Sequence, residues 1–123
     1  MTTAVIALKI AIICQAGPQD GARAWHALLY AKELVEHGHT VRLIFDGAGT
    51  TWARAYEKPE TRHHDTWEAV KKLGIVTTVC DYRATAFRVR DETVKAGLPH
   101  ESGFEGHPSI ANLVEQGFTL VVL

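Results

Sequence analysis

VTTVCDYRATAF, residues 76–87, opens as a short apolar, β-branched run and closes in residues of helical preference. It reads as a strand, Ile75 to Cys80, that passes directly into a helix with Cys80 at the junction. Just upstream, KKLG (71–74) supplies a glycine stop for a preceding helix. Helix, glycine, strand and helix in such close succession are what a parallel sheet covered by helices requires.

Working outward, the same alternation recurs. Ala7 to Cys14, with LKIAIIC at its heart, is too continuously apolar for a half-exposed strand and reads as central. The loop QAGPQDG (15–21) leads to a helix capped by Asp20, with Trp25, Leu28, Leu29, Lys32 and Val35 near one face and Gly38 as its stop. Thr40 to Phe45 is the second strand; DGAGT (46–50) turns tightly after it, and a short helical turn follows over Thr51 to Tyr56. EKPETRHHD (57–65) is polar and aperiodic, an exposed loop. Asp65 with Glu68 matches a capping box for a helix whose apolar stripe is Trp67, Val70 and Leu73. Beyond Cys80 helical sequence runs to about Ala96, re-initiated at Asp91, and closes at Gly97 and Pro99. HESGFEGH (100–107) is a loop, Pro108 opens the first turn of a helix that carries Ile110, Leu113 and Val114 on one face, and FTLVVL (118–123) is a last buried strand. The expectation is one domain over residues 1–123. Its fold class is three-layer α/β/α, with a central mostly parallel sheet of about four to five strands, flavodoxin- or Rossmann-like, joined by right-handed crossovers.

The composition narrows the function. With 13 Lys+Arg against 14 Asp+Glu, the formal charge of -1 offers no electrostatic footprint for nucleic acid or an anionic membrane. The apolar run from Ala4 to Cys14 is interrupted by Lys9 and too short to span a bilayer, so no membrane partner and a cytoplasmic location are expected. Two cysteines are too few for a disulfide scaffold and suit a reducing compartment.

In such sheets ligands collect beyond the carboxyl ends of the strands. AGPQDG (16–21) is neither G-x-G-x-x-G nor a phosphate loop, which argues against a nucleotide. Cys80 is better placed: a helix N-terminus and Arg83 lower a thiol pKa, while adjacent Asp81 raises it. A packed core cysteine is the competing reading, and Cys14, in the apolar context IICQ, fits that reading well. None of the seven histidines shares metal-ligand spacing with a Cys or His on a single element, so no metal and no cofactor are expected. His107 reads as a cap for the helix that follows it. His64 and His100 are the candidates to approach Cys80 as base or orienting group. The expected pocket comprises Gly17, Asp46, Gly47, Gly49, Asp81, Tyr82 and Arg83.

The order of these elements carries a resemblance. The acidic-capped helix ending in EHG (36–38), VRLIFDGAGT (41–50), KKLGIVTTVCDY (71–82) and EGHPSIANLVEQGFTLVVL (105–123) together resemble the DsrE/DsrF-like sulfur-relay family along nearly the whole chain. The resemblance implies a small α/β protein that forms homo-oligomers, trimers or hexamers, and passes sulfane sulfur as a persulfide between donor and acceptor proteins. It puts Cys80 at the family's sulfur-accepting position. Some relatives carry a second cysteine in a C-x-x-C arrangement; Arg83 stands there in this chain, which implies a one-cysteine carrier rather than a dithiol redox pair. The alternative is a non-catalytic oligomeric protein of the same fold that binds a small molecule or anion.

Overall fold

A computed structural model describes residues 6–123; Ala4 and Val5 of the N-terminal apolar run lie outside the described residues. Five strands form one parallel sheet among them: β1 (Lys9–Cys14), β2 (Thr40–Phe45), β3 (Val76–Cys80), β4 (His100–Glu101) and β5 (Thr119–Val122), in the order β4-β3-β2-β1-β5. Helices α1 (Gly21–Glu36), α2 (Thr50–Ala55), α3 (His64–Lys72), α4 (Asp81–Ala86), α5 (Arg90–Lys95) and α6 (Ile110–Glu115) connect them, giving the three-layer α/β/α arrangement. No helix among the described residues is long and apolar enough to cross a membrane.

Side chains alternate across the sheet, and its two faces are covered unequally. Ile10, Ile12, Cys14, Val41, Leu43, Phe45 and Val79 face the larger core, built with residues of α1 to α4. Ala11, Ile13 and Ile44 face a smaller one, closed by Leu113 of α6 and Phe118. The central position read for β1 is correct: it pairs with β2 on one side and β5 on the other.

Several local expectations are corrected. The buried stripe of α1 is Ala24, Ala27, Leu28 and Ala31, with Trp25, Leu29, Lys32 and Val35 only half-buried, because the alanines let the helix lie close against the strands. Asp65 does not cap α3. The cap is His63, held in the left-handed region at φ 69 with its ring stacked on Trp25 at 4.0 Å, so the helix starts before Asp65 and leaves it in the first turn. Leu73 is exposed at the C-cap of that helix. Pro108 precedes the true cap of α6, Ser109, whose hydroxyl accepts from the Asn112 N–H at 3.1 Å; His107 is therefore no cap. Of the stripe read for α6 only Leu113 is buried, since this short helix reaches the sheet with one side chain. β5 is a half-exposed edge rather than a buried strand. β4, two residues long and inside the segment read as a loop, has too little sequence to show a period.

At the carboxyl end of the sheet the chain turns sharply after β2. The Asp46 N–H donates to the Cys14 carbonyl at 2.9 Å, and the 3-10 turn Gly47–Gly49 is pressed onto the same peptide. A Cβ on Gly49 would stand 2.9 Å from the Cys14 carbonyl carbon and closer still to its oxygen, so only glycine fits. Gly49→Ala is expected to destabilise the fold by about 3 kcal/mol or more, at or beyond the upper end of ordinary overpacking. Denaturant unfolding read by far-UV circular dichroism checks this, and a midpoint equal to the parent's would contradict it.

Candidate functional site

Cys80 ends β3 and is the N-cap of α4, at the strand-to-helix junction that the sequence indicated. α4 is short, and the group that reaches the sulfur is one peptide: the Arg83 N–H donates to Sγ at 3.5 Å. The side chain is fully buried. Strand alternation turns Cys80 to the same side as Thr78 and Ile44, away from the larger core that takes Val79 and Phe45.

Two loops converge on the thiol. His107, from the segment after β4, brings Nδ1 to 3.3 Å from Sγ, and the Gly106 carbonyl lies 3.9 Å away. Asp46, from the turn after β2, completes the group, with ligand-capable atoms of Asp46, Cys80 and His107 all within 4.8 Å of one another. Each neighbour is itself held. The Asp46 carboxylate accepts from the Gly47 N–H at 2.8 Å and the Gln15 side-chain amide at 3.0 Å. His107 exchanges two backbone hydrogen bonds of 2.8 Å with Phe104, and its ring lies 4.7 Å from that of Tyr82.

The loop that carries His107 is anchored at its start by Glu101. This carboxylate pairs with Arg42 of β2 at 2.6 Å and accepts from the Thr78 hydroxyl of β3, tying β4 to both neighbouring strands. Further along, the Tyr82 N–H donates to the Gly106 carbonyl at 2.9 Å. Gly106 sits at φ +83 against the Tyr82 side chain.

These surroundings set the charge state of Cys80. Burial raises its pKa most, the Arg83 N–H lowers it, and the Asp46 carboxylate raises it again, leaving the thiol at about 11. Asp46 therefore contributes the carboxylate effect that the sequence had assigned to Asp81. Asp81 is instead engaged by Arg90 at 2.8 Å. Cys14, also a free thiol, is fully buried in the larger core and is likewise raised to about 11, mainly by burial; it is the packed cysteine expected.

Of the expected pocket residues, Asp46, Gly47 and Arg83 line a cavity of about 390 Å³ together with Gln15, Ala48 and His107. Gly49 lies beneath it against Cys14, Gly17 packs on Ala48, and Tyr82 flanks His107 from an exposed position. A second cavity of about 430 Å³, more apolar, shares Gln15, Asp46 and His107 and continues over Phe104 and Ile110. Cys80 contributes to neither lining; Asp46 and His107 are its contacts to both. The two assisting histidines expected lie elsewhere. His64 Nδ1 is 2.6 Å from the Tyr56 carbonyl, and His100 Nε2 is 2.8 Å from the Thr93 hydroxyl. The signal for His107 is its place after a strand's carboxyl end, and β4, at two residues, is too short to show that strand in the sequence.

Comparison with known proteins agrees with the fold and the residue order. An uncharacterized protein of Methanocaldococcus jannaschii, MJ0733, is 31% identical over 98 residues, covering 80% of this chain and 78% of its own length. The solved structure of BT1422, a conserved protein of unknown function from Bacteroides thetaiotaomicron, superposes with a TM-score of 0.64 over 94% of both chains at 15% identity, a likeness of fold. The DsrE/DsrF-like family model matches residues 8–123, a span holding every strand, the site loops and Cys80. The chain belongs to the DsrE/DsrF-like family.

Proposed function

We propose that this protein is a sulfur carrier that holds sulfane sulfur as a persulfide on Cys80. The observation that carries the reading is the 3.3 Å approach of His107 Nδ1 to Cys80 Sγ beside the Arg83 N–H. In the tautomer that leaves Nδ1 bare, the thiol donates to the ring, and His107 is placed to take its proton. The resulting thiolate keeps the Arg83 N–H as hydrogen-bond donor.

The transfer balances without an external oxidant or reductant. Cys80 thiolate attacks the outer sulfur of a donor persulfide, a new S–S bond forms on Cys80, and the donor's S–S bond breaks with departure of its thiolate. An acceptor thiolate then attacks the outer sulfur of the Cys80 persulfide. Cys80 leaves as thiolate and recovers its proton from His107. Arg83 occupies the place of any second thiol in a C-x-x-C arrangement, so the persulfide is not resolved into a local disulfide. The partners in this reading are a donor and an acceptor protein, with the chain itself in a homo-oligomer, a trimer or hexamer, in the reducing cytoplasm.

The second reading, a non-catalytic oligomeric small-molecule binder, has its own support. A cavity of about 460 Å³ is lined by Trp25, Trp52, Tyr56 and His63. The Tyr56 hydroxyl and Trp25 Nε1 are buried and have no hydrogen-bond partner among the described residues. An aromatic-lined cavity of that size suits a small, largely apolar ligand.

One measurement separates these readings, and a second tests what sets the charge state of the thiol. Incubated with a low-molecular-weight persulfide donor, the protein is expected to gain the mass of one sulfur, retained in Cys14→Ser and lost in Cys80→Ser; no increment, or one that survives Cys80→Ser, removes the carrier reading. In chelator-treated protein, alkylation of Cys80 is expected to be slow at neutral pH and to rise about tenfold per pH unit toward its pKa of about 11. Asp46→Asn removes a negative charge that opposes the thiolate, so its profile should move to lower pH. An unmoved profile would show that Asp46 does not govern the thiol.

A further inference from the structure

We infer that Asp46, Cys80 and His107 also form a site for one divalent transition-metal ion of the zinc class. The donors are one carboxylate, one thiol and one imidazole, the ligand types that zinc takes, and they arrive from a strand end and two loops far apart in the chain. This is why no spacing along a single element revealed them.

The Cys80–His107 pair already has the separation the metal demands, and Asp46 stands within reach of both. Zinc bonds of roughly 2.3 Å to sulfur and 2.0–2.1 Å to nitrogen, set at a tetrahedral angle, put the two donor atoms roughly 3.5 Å apart. Cys80 Sγ and His107 Nδ1 are 3.3 Å apart, and all donor atoms of the trio fall within 4.8 Å. Three protein ligands leave a fourth position for water or a substrate atom, as in catalytic rather than structural zinc sites. Asp46 and His107 both line the 390 Å³ cavity that would supply it.

The supporting contacts are those that hold metal ligands in place. The Gly47 N–H and the Gln15 amide fix the Asp46 carboxylate, the Arg83 N–H meets the sulfur, and the Phe104 pairing positions His107. On binding, the S–H bond breaks, the sulfur keeps the electron pair and bonds the cation, and the proton passes to solvent; no electron is transferred. A metal-bound Cys80 is withdrawn from sulfur chemistry, so metal and sulfane sulfur compete for one atom.

Cobalt(II) titrated into the metal-free full chain at neutral pH tests the site. The expected result is one equivalent bound per chain, with sulfur-to-cobalt charge-transfer absorption and the strong visible bands of tetrahedral cobalt, both bleached by added zinc. Cys14→Ser should leave the charge-transfer band intact and Cys80→Ser should abolish it. Asp46→Asn and His107→Ala, each verified as folded by circular dichroism, should weaken binding tenfold or more. Absence of the band in the parent chain, or its persistence in Cys80→Ser, overturns the proposal. The inference does not rest on the sulfur-carrier reading: sulfur uptake without cobalt binding removes only the metal site, and cobalt binding without sulfur uptake removes only the carrier.

Discussion

The carbonyl of Cys14 is the point on which the carboxyl end of the sheet is built. β1 and β2 stay in register to their last pair, Cys14 with Phe45, and the chain must then turn across the end of β1. It does so by giving the Asp46 N–H to that carbonyl and laying Gly49 against it. Thr50, fully buried, closes the turn by donating to the Gly47 carbonyl, and α2 follows at once. From α2 the Trp52 ring donates to the Gly17 carbonyl at 2.9 Å, fixing the loop after β1 as well. The position of Asp46 beside Cys80 is therefore a backbone consequence, set before any side chain chooses a rotamer.

The other half of the site depends on charge. Arg42 and Glu101 are both mostly buried on the more thinly covered side of the sheet, and Thr78 lies between their strands. A carboxylate removed from water needs compensation, and the guanidinium with the hydroxyl provides it. β4 contributes only two residue pairs, and the Arg42–Glu101 ion pair adds a second tie to the sheet just ahead of Gly106 and His107. Polar pairing on one face of the sheet thus delivers the imidazole that the thiol meets.

Much of the architecture was legible because it is written in local rules. The Asp20 cap, the stops at Gly38, Gly74, Gly97 and Gly117, and the limits of β2 follow from capping and periodicity, and all are present. The junction at Cys80 was legible for the same reason. What was hidden depends on distant partners: His63, at the N-cap position of α3, stacks on Trp25 far earlier in the chain, and Glu101 of β4 pairs with Arg42 of β2. His107 belongs to that second class. A histidine between glycine and proline in a polar segment carries no periodic mark, and its relation to Cys80 exists only after the sheet has formed.

The brevity of β4 has a consequence for how stability is distributed. β1 is hydrogen-bonded on both sides and nearly all buried, whereas β4 adds two pairs at an edge and is tied otherwise by the polar side chains of His100 and Glu101. Proteins open first where buried apolar contacts are fewest, in segments cheaper to release than the whole fold. Residues 100–109 form such a segment, and His107 rides on it. By that rule, release of this segment would cost less than unfolding the sheet, and it would uncover the enclosed sulfur of Cys80 while β1 to β3 stay paired.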